Sequence, residues 1–259
     1  MNYKHLTFKN NNGIITIGLH RPKVNALNGE LLGELSSACD QIKSDRSARA
    51  LILRSELENF CAGADLKERQ NMSEDEVKKF VKHVIGGTIH KIGDLEIPTI
   101  AAVNGIAYGG GCELALACDF RIFSDDVKIS LRETSLGIIP GAGGTQRLPR
   151  LIGYSNALLW ILTARIFTAQ ESLQHGVCNL VVNANTLQNE AVKLAEEINS
   201  NAPIAVRLAK KAVRLGLDQS LKDGLEIENQ CYNDVIPTHD RVEALKAFNE
   251  KRKPKWTNS

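Results

Sequence analysis

Aromatic residues make up only 5% of this 259-residue chain, too few for the stacking platforms that single-stranded nucleic acid needs. Neither sign of charge dominates: 32 lysines and arginines face 30 aspartates and glutamates, a net +2. Such a balance gives no general pull toward nucleic acid or an anionic membrane. No stretch approaches 18 uninterrupted apolar residues, which excludes a membrane-spanning helix. The first twelve residues are polar and lack both the apolar run of a signal peptide and an arginine-rich amphipathic presequence. An intracellular compartment is expected: cytoplasmic for a bacterial chain, the mitochondrial matrix for a mature eukaryotic form. Six cysteines, at 39, 61, 112, 118, 178 and 231, form no C-x-x-C pair, and several have apolar neighbours. They read as small buried hydrophobes rather than as a disulfide framework. The six histidines are scattered, with no H-E-x-x-H, so no metal site is expected. Dinucleotide fingerprint, P-loop and G-x-S-x-G elbow are also missing.

What is present is the composition of an ordinary globular protein, 43% hydrophobic and 24% charged, in a chain long enough to bury a large core. Leu6 to Lys9 and Ile14 to Leu19 predict a hairpin across a polar turn. Leu31, Leu32, Leu35, Ala38, Cys39 and Ile42 give the next segment a helical apolar stripe. Ala50 to Leu53 and Thr99 to Val103 predict buried strands. A helix capped by Ser73 and Glu76 runs between them toward Ile92, weakened at Gly86-Gly87. Short strands follow at 120–123 and 128–131, helices at 145–151, 154–163 and 169–174, and a strand near 178–182. This alternation predicts an α/β fold. Beyond about Leu187 only helices are expected, at 191–199, 203–216, 221–232 and 241–251, so the chain divides into a core over 1–195 and a helical module over 196–259.

Three segments carry candidate chemistry. Phe60-Cys61-Ala62-Gly63-Ala64-Asp65-Leu66 follows a buried strand. Its small residues admit a ligand to the main chain, although any tight turn has the same look. Gly109-Gly110-Gly111 at the mouth of an apolar helix costs backbone entropy, which implies close approach of backbone or ligand. Glu113 follows at once, a carboxylate among Leu114, Ala115, Leu116 and Ala117, where burial is expensive without compensation; a structural carboxylate bonded to nearby amides is the other reading. Glu133 precedes a second glycine cluster, Gly141 to Gly144, whose helix start either binds charge or makes a turn. Twenty residues apart and in different elements, the two glutamates meet only through tertiary structure. The basic run Lys251-Arg252-Lys253-Pro254-Lys255 reads as a solvated tail.

In this order and spacing these motifs, with Arg21-Pro22, Asn25-Ala26-Leu27-Asn28, Ala102-Val103-Asn104-Gly105 and Pro140 to Leu148, resemble the enoyl-CoA hydratase/isomerase superfamily, the crotonases. The match spans nearly the whole chain, and the tail from Cys231 to Arg252 is similar to the methylglutaconyl-CoA hydratase branch and its close enoyl-CoA hydratase relatives. The resemblance implies a crotonase-like spiral of β-β-α units and a helical C-terminal module that makes homo-trimers or hexamers. It places an oxyanion hole at the amides of Ala64 and Gly110, and an acid/base pair at Glu113 and Glu133. It implies coenzyme A as part of the substrate, held near Ala26, Leu27, Ala62, Gly63, Asp65, Leu66 and Lys67. Lys251 and Lys253 are further candidates for its phosphates, and no tightly bound cofactor is implied. Possession of both glutamates favours reversible hydration of a 2-enoyl-CoA, either a general acyl chain or 3-methylglutaconyl-CoA. Enoyl isomerisation is the alternative within the superfamily and RNA binding the alternative outside enzymology. Against the latter, Lys43, Arg46 and Arg49 are balanced by Glu34, Asp40 and Asp45. Arg132 departs from the family pattern; it stands where it can lower the Glu133 pKa, reach a distal substrate carboxylate, or face solvent.

Overall fold

A computed structural model describes residues 3–259. The first strands, β1 (Leu6–Asn11) and β2 (Ile14–Leu19), form the expected antiparallel hairpin around Asn12-Gly13. Helix α1 (Gly29–Ser44) follows, capped by the Asn28 side chain, and buries the six residues of the anticipated stripe. Next come β3 (Ala50–Ser55) and the short α2 (Leu66–Arg69). The Ser73–Glu76 capping box opens α3 (Glu74–Lys79), which passes through a π-helical turn, Phe80–Ile85, into α4 (Gly86–Gly93). The helix is therefore irregular just before Gly86-Gly87 rather than interrupted by it.

After β4 (Thr99–Val103) the chain makes β5 (Ile106–Tyr108), α5 (Gly110–Ala117), β6 (Phe120–Ser124) and β7 (Lys128–Ser130). A 3₁₀ turn at Glu133–Leu136 leads on to α6 (Gly144–Ile152) and α7 (Tyr154–Thr163). The core closes with β8 (Phe167–Thr168), α8 (Ala169–Gln174), β9 (Leu180–Val182) and α9 (Leu187–Asn199).

Two sheets are wound together. The larger has the order β1-β2-β3-β4-β6-β9 and is parallel from β2 onward. Its inner strands β2, β3 and β4 are buried along nearly their whole length, as parallel strands covered on both sides must be. Leu51 and Leu53 of β3 face the main core with α1, whereas Ala50 and Ile52 face Leu187, Ala191 and Ala195 of α9. Helix α9 thus belongs to the packing of the sheet and runs unbroken across residues 195 and 196. The smaller sheet, β5-β7-β8, is extended by single bridges from Ala107 to Cys61 and from Ala64 to Leu27. Each turn of the chain therefore lays one segment in the large sheet and the next in the small one.

Helices α10 (Pro203–Gly216), α11 (Leu221–Val235) and α12 (His239–Asn249) follow without intervening strands. Helices α10 and α11 approach closely at Gly216 and Gly224, where an added Cβ would come 3.5 and 3.6 Å from the other main chain. Lys210 on α10 ties them to the core by donating to Ile97 O (2.9 Å) and Asp119 Oδ2 (2.5 Å). The tail returns to α12, where Asp240, 1% exposed, accepts from the amides of Thr257 (2.6 Å) and Asn258 (3.0 Å).

Candidate active site

The site begins where the small sheet hands over to α5. Gly111 packs so closely that a Cβ there would lie 2.2 Å from Cys61 O. The first turn of α5 therefore rests on the main chain of residues 61–64. Gly63 completes the contact: its φ is +95°, and a Cβ would meet Tyr108 O at 2.6 Å. At the Leu27 bridge, Leu27 N donates to Gly63 O (2.7 Å) and Asp65 N to Leu27 O (2.9 Å). Alternation along an extended strand turns the amide of Ala64, between them, the other way. That amide lies 3.6 Å from the Cβ position of Gly110. Gly110 is the first residue of α5, so its N–H has no acceptor within the helix. Two amides thus lie close together at the positive end of a helix.

Glu113, one turn further along α5, is 3% exposed. Its Oε1 accepts from the amides of Ala142 (2.7 Å) and Gly144 (2.9 Å), at the start of α6. The second glycine cluster thus binds charge. Gly144 must lack a side chain, since a Cβ would lie 3.1 Å from Glu113 Oε1 and 2.9 Å from Pro140 Cβ. Burial pushes the Glu113 pKa up, and the two amides and the charges of Arg147 and Arg69 oppose it.

Glu133 opens the 3₁₀ turn and is 9% exposed. Burial and then the Glu113 charge raise its pKa to about 7. Its Oε2 is buried without a hydrogen-bond partner among the described residues. The glutamates meet across Gly109. Glu113 N donates to Gly109 O at 2.9 Å, and the Cβ position of Gly109 is 3.0 Å from Glu133 Oε1. Two carboxyls in one buried place cannot both ionise freely, so their titrations separate.

A cavity of about 310 Å³ opens in front of this pair. Ala62, Gly63, Ala64, Leu66, Gly109, Gly110 and Glu133 are among its walls, whereas Glu113, one turn along α5 from Gly110, is not. Of the remaining substrate candidates, Leu27 is fully buried beneath Gly110, and Ala26 O accepts from Arg21. Asp65 is committed to capping α2 and to an ion pair with Arg21 at 2.8 Å. Ala26, Leu27, Asp65, Lys67, Lys251 and Lys253 are not in the cavity wall. Arg132 is, with its guanidinium 5.6 Å from the centre of the Tyr108 ring. The cation that bears on Glu133 is Arg69 instead, a cavity residue whose Nε has no hydrogen-bond partner among the described residues. Nothing in the sequence singles out Arg69, one of two cations on a short polar helix.

The Enoyl-CoA hydratase/isomerase family model matches residues 9–259. The chain belongs to that family. The human mitochondrial methylglutaconyl-CoA hydratase is 46% identical over 259 residues, covering 98% of this chain and 76% of its own. Human mitochondrial enoyl-CoA hydratase domain-containing protein 2 is 45% identical over 250 residues, covering 94% and 85%. The 1.8 Å crystal structure of enoyl-CoA hydratase from Bacillus anthracis superposes with a TM-score of 0.96 at 46% identity, covering 99% of this chain and 100% of that one. The winding of two sheets described above is thus the fold of enoyl-CoA hydratases. No helix among the described residues is long and apolar enough to cross a membrane.

Proposed function

We propose that this member of the enoyl-CoA hydratase/isomerase family hydrates the 2,3 double bond of a 2-enoyl-CoA to a 3-hydroxyacyl-CoA, reversibly. The observation that carries the reading is the pair of buried glutamates brought together at Gly109, next to the amides of Ala64 and Gly110. The thioester oxygen lies on those amides and gains negative charge as water adds, so the donors bind the transition state more tightly than the substrate. Glu113, whose carboxylate is favoured by two amides, takes the proton from water as its oxygen attacks C3. Glu133, whose pKa is raised to about 7 by burial and the Glu113 charge, gives its proton to C2, and dehydration runs the same path backward. Coenzyme A enters as part of the substrate, and the residues assign no role to a further cofactor.

For the acyl end, Arg69 and Arg132 are the cations in the cavity wall. An unpaired buried Nε on Arg69 favours a chain ending in a carboxylate, such as 3-methylglutaconyl-CoA, over a plain alkyl chain. Leu136 and Ile138 in the same wall fit the carbons between. The test is kcat/KM on 3-methylglutaconyl-CoA against crotonyl-CoA. A preference for the dicarboxylate supports this substrate; a preference for crotonyl-CoA makes the enzyme a general hydratase; inactivity on both overturns hydration.

The assembly we propose is a homo-trimer or a dimer of trimers built by the helices after Asn199. Val213, Leu217, Leu221, Tyr232 and Phe248 are 66–83% exposed on the single chain, more apolar surface than an isolated protein ordinarily leaves in water. Mass measurement in solution checks this.

A further inference from the structure

Glu113 owes its place to a turn, and one side chain outside the cavity wall holds that turn. Residues 142–144 present two amides to Glu113 Oε1. The 142–143 peptide lies between these two amides, and residue 147 takes its carbonyl, Ala142 O, as well as Gly143 O, which it shares with the Gln146 amide. Arg147 Nη1 donates to Ala142 O at 2.9 Å, and the Arg147 amide donates to Gly143 O at 2.7 Å. Gly143, at φ +112°, gives the guanidinium its room: a Cβ there would lie 2.0 Å from Nη1. On its far side the guanidinium approaches the last turn of α4, with Nη2 3.4 Å from the Cβ position of Gly93. The negative end of that helix favours a cation.

We infer that Arg147 is a positioning residue of the hydration reaction, fixing the 142–144 turn so that Glu113 is offered as a carboxylate in one orientation. It touches neither cavity nor substrate. The inference rests on the reading of Glu113 as a catalytic group. The charged and titratable groups facing this spot are Arg147 from α6, Arg69 from α2, Glu133 from the 3₁₀ turn and Cys112 beside Glu113 on α5. Asp94, after α4, and Cys118, after α5, face Arg147 itself. Among these, Arg147 and Arg69 are the cations that favour ionised Glu113, and only Arg147 also holds the turn.

The experiment compares Arg147→Lys and Arg147→Met with wild type, each first shown to keep the native assembly mass and a cooperative melt. Expected for Arg147→Met is a kcat lower by about 100-fold, the scale of a slightly misplaced catalytic group, with the affinity for a saturated acyl-CoA unchanged. The acidic limb of kcat/KM, which reports protonation of Glu113, moves to higher pH because the carboxylate has lost a stabilising cation. Arg147→Lys, which keeps the charge without the fixed fork, is expected to lose kcat while its acidic limb stays closer to wild type. Unchanged kcat in either folded variant overturns the inference, as does a lower kcat in Arg147→Met with an unmoved limb. Should Arg147→Met fail to assemble, the kcat of Arg147→Lys decides. Glu113→Gln separates the two readings. If it retains full activity, the assignment of Glu113 fails. If it is inactive while Arg147→Met behaves as wild type, only the role of Arg147 fails. With both assignments correct, adding Arg147→Met to Glu113→Gln costs nothing further.

Discussion

Replacing Glu133 with glutamine should make the protein more stable while disabling it, and the gain should depend on pH. Burial and the neighbouring Glu113 raise the Glu133 pKa from 4.5 to about 7. Between those values the folded chain holds a proton that the unfolded chain has lost, so stability falls as pH rises through the interval. The penalty is absent below about pH 4.5 and complete above about pH 7. At about 1.4 kcal/mol for each tenfold change in proton affinity, it reaches about 3 kcal/mol. Glutamine carries no charge at any pH and escapes the penalty, although its buried amide returns about 1 kcal/mol or more of it for want of partners. Glu133→Gln should therefore exceed wild type by about 1–2 kcal/mol near pH 8, roughly 2–8 °C in melting temperature. Near pH 4.5, where wild type carries no penalty, the sign should reverse and the glutamine variant should be the less stable by about 1 kcal/mol. Denaturant and thermal melts of both proteins at three pH values provide the assay, with the assembled species at equal concentration. An identical difference at every pH would refute the reasoning, because the carboxyl would then not be titrating in that window.

Glu113→Gln and Glu133→Gln should each lower hydration by about 100-fold or more while leaving the assembly mass unchanged; full turnover by either removes that residue from the chemistry. Gly144→Ala, which puts a methyl 3.1 Å from Glu113 Oε1, should reduce kcat much more than it alters KM in steady-state assays. Arg132→Met should lower kcat/KM for a dicarboxylate enoyl-CoA about 10-fold and leave crotonyl-CoA nearly untouched, if the exposed guanidinium meets the distal carboxylate. Deleting residues 257–259 strips Asp240 of its amide donors and should destabilise the chain by about 2 kcal/mol, measured by urea unfolding.

What could be read from the sequence was what a single element decides for itself. The stripe from Leu31 to Ile42 has helical period, and α1 buries those six residues. Strands β5 and β8, three and two residues long, carry too little pattern to be seen, because their pairing lies in a second sheet built from distant turns. Helix α9 was expected to start at Ala191, yet it begins at Leu187, whose side chain closes the far face of the large sheet. At the site, the glycine runs announced that something comes close without naming it. The partners proved to be Cys61 O for Gly111 and the Glu113 carboxylate for Gly144. Glu133 looked like a loop residue, since its environment is made by Glu113 and Gly109 from another element. Arg69 gives no signal in the sequence for the same reason: its unpartnered nitrogen is a fact of the fold.

The contact of Gly111 with Cys61 O has a consequence for how such an enzyme can be studied. The proposed grip on the thioester belongs to two peptide bonds, clamped where the main chains of two segments touch. Ala64 is already alanine, and the Gly110 donor survives in any non-proline residue. An alanine scan removes neither N–H, and any loss at Gly110→Ala would report a methyl 3.1 Å from Leu27 Cδ1 and 3.6 Å from the Ala64 amide rather than the proposed donor itself. Only an ester in place of the peptide nitrogen at Ala64 or Gly110 would register their share.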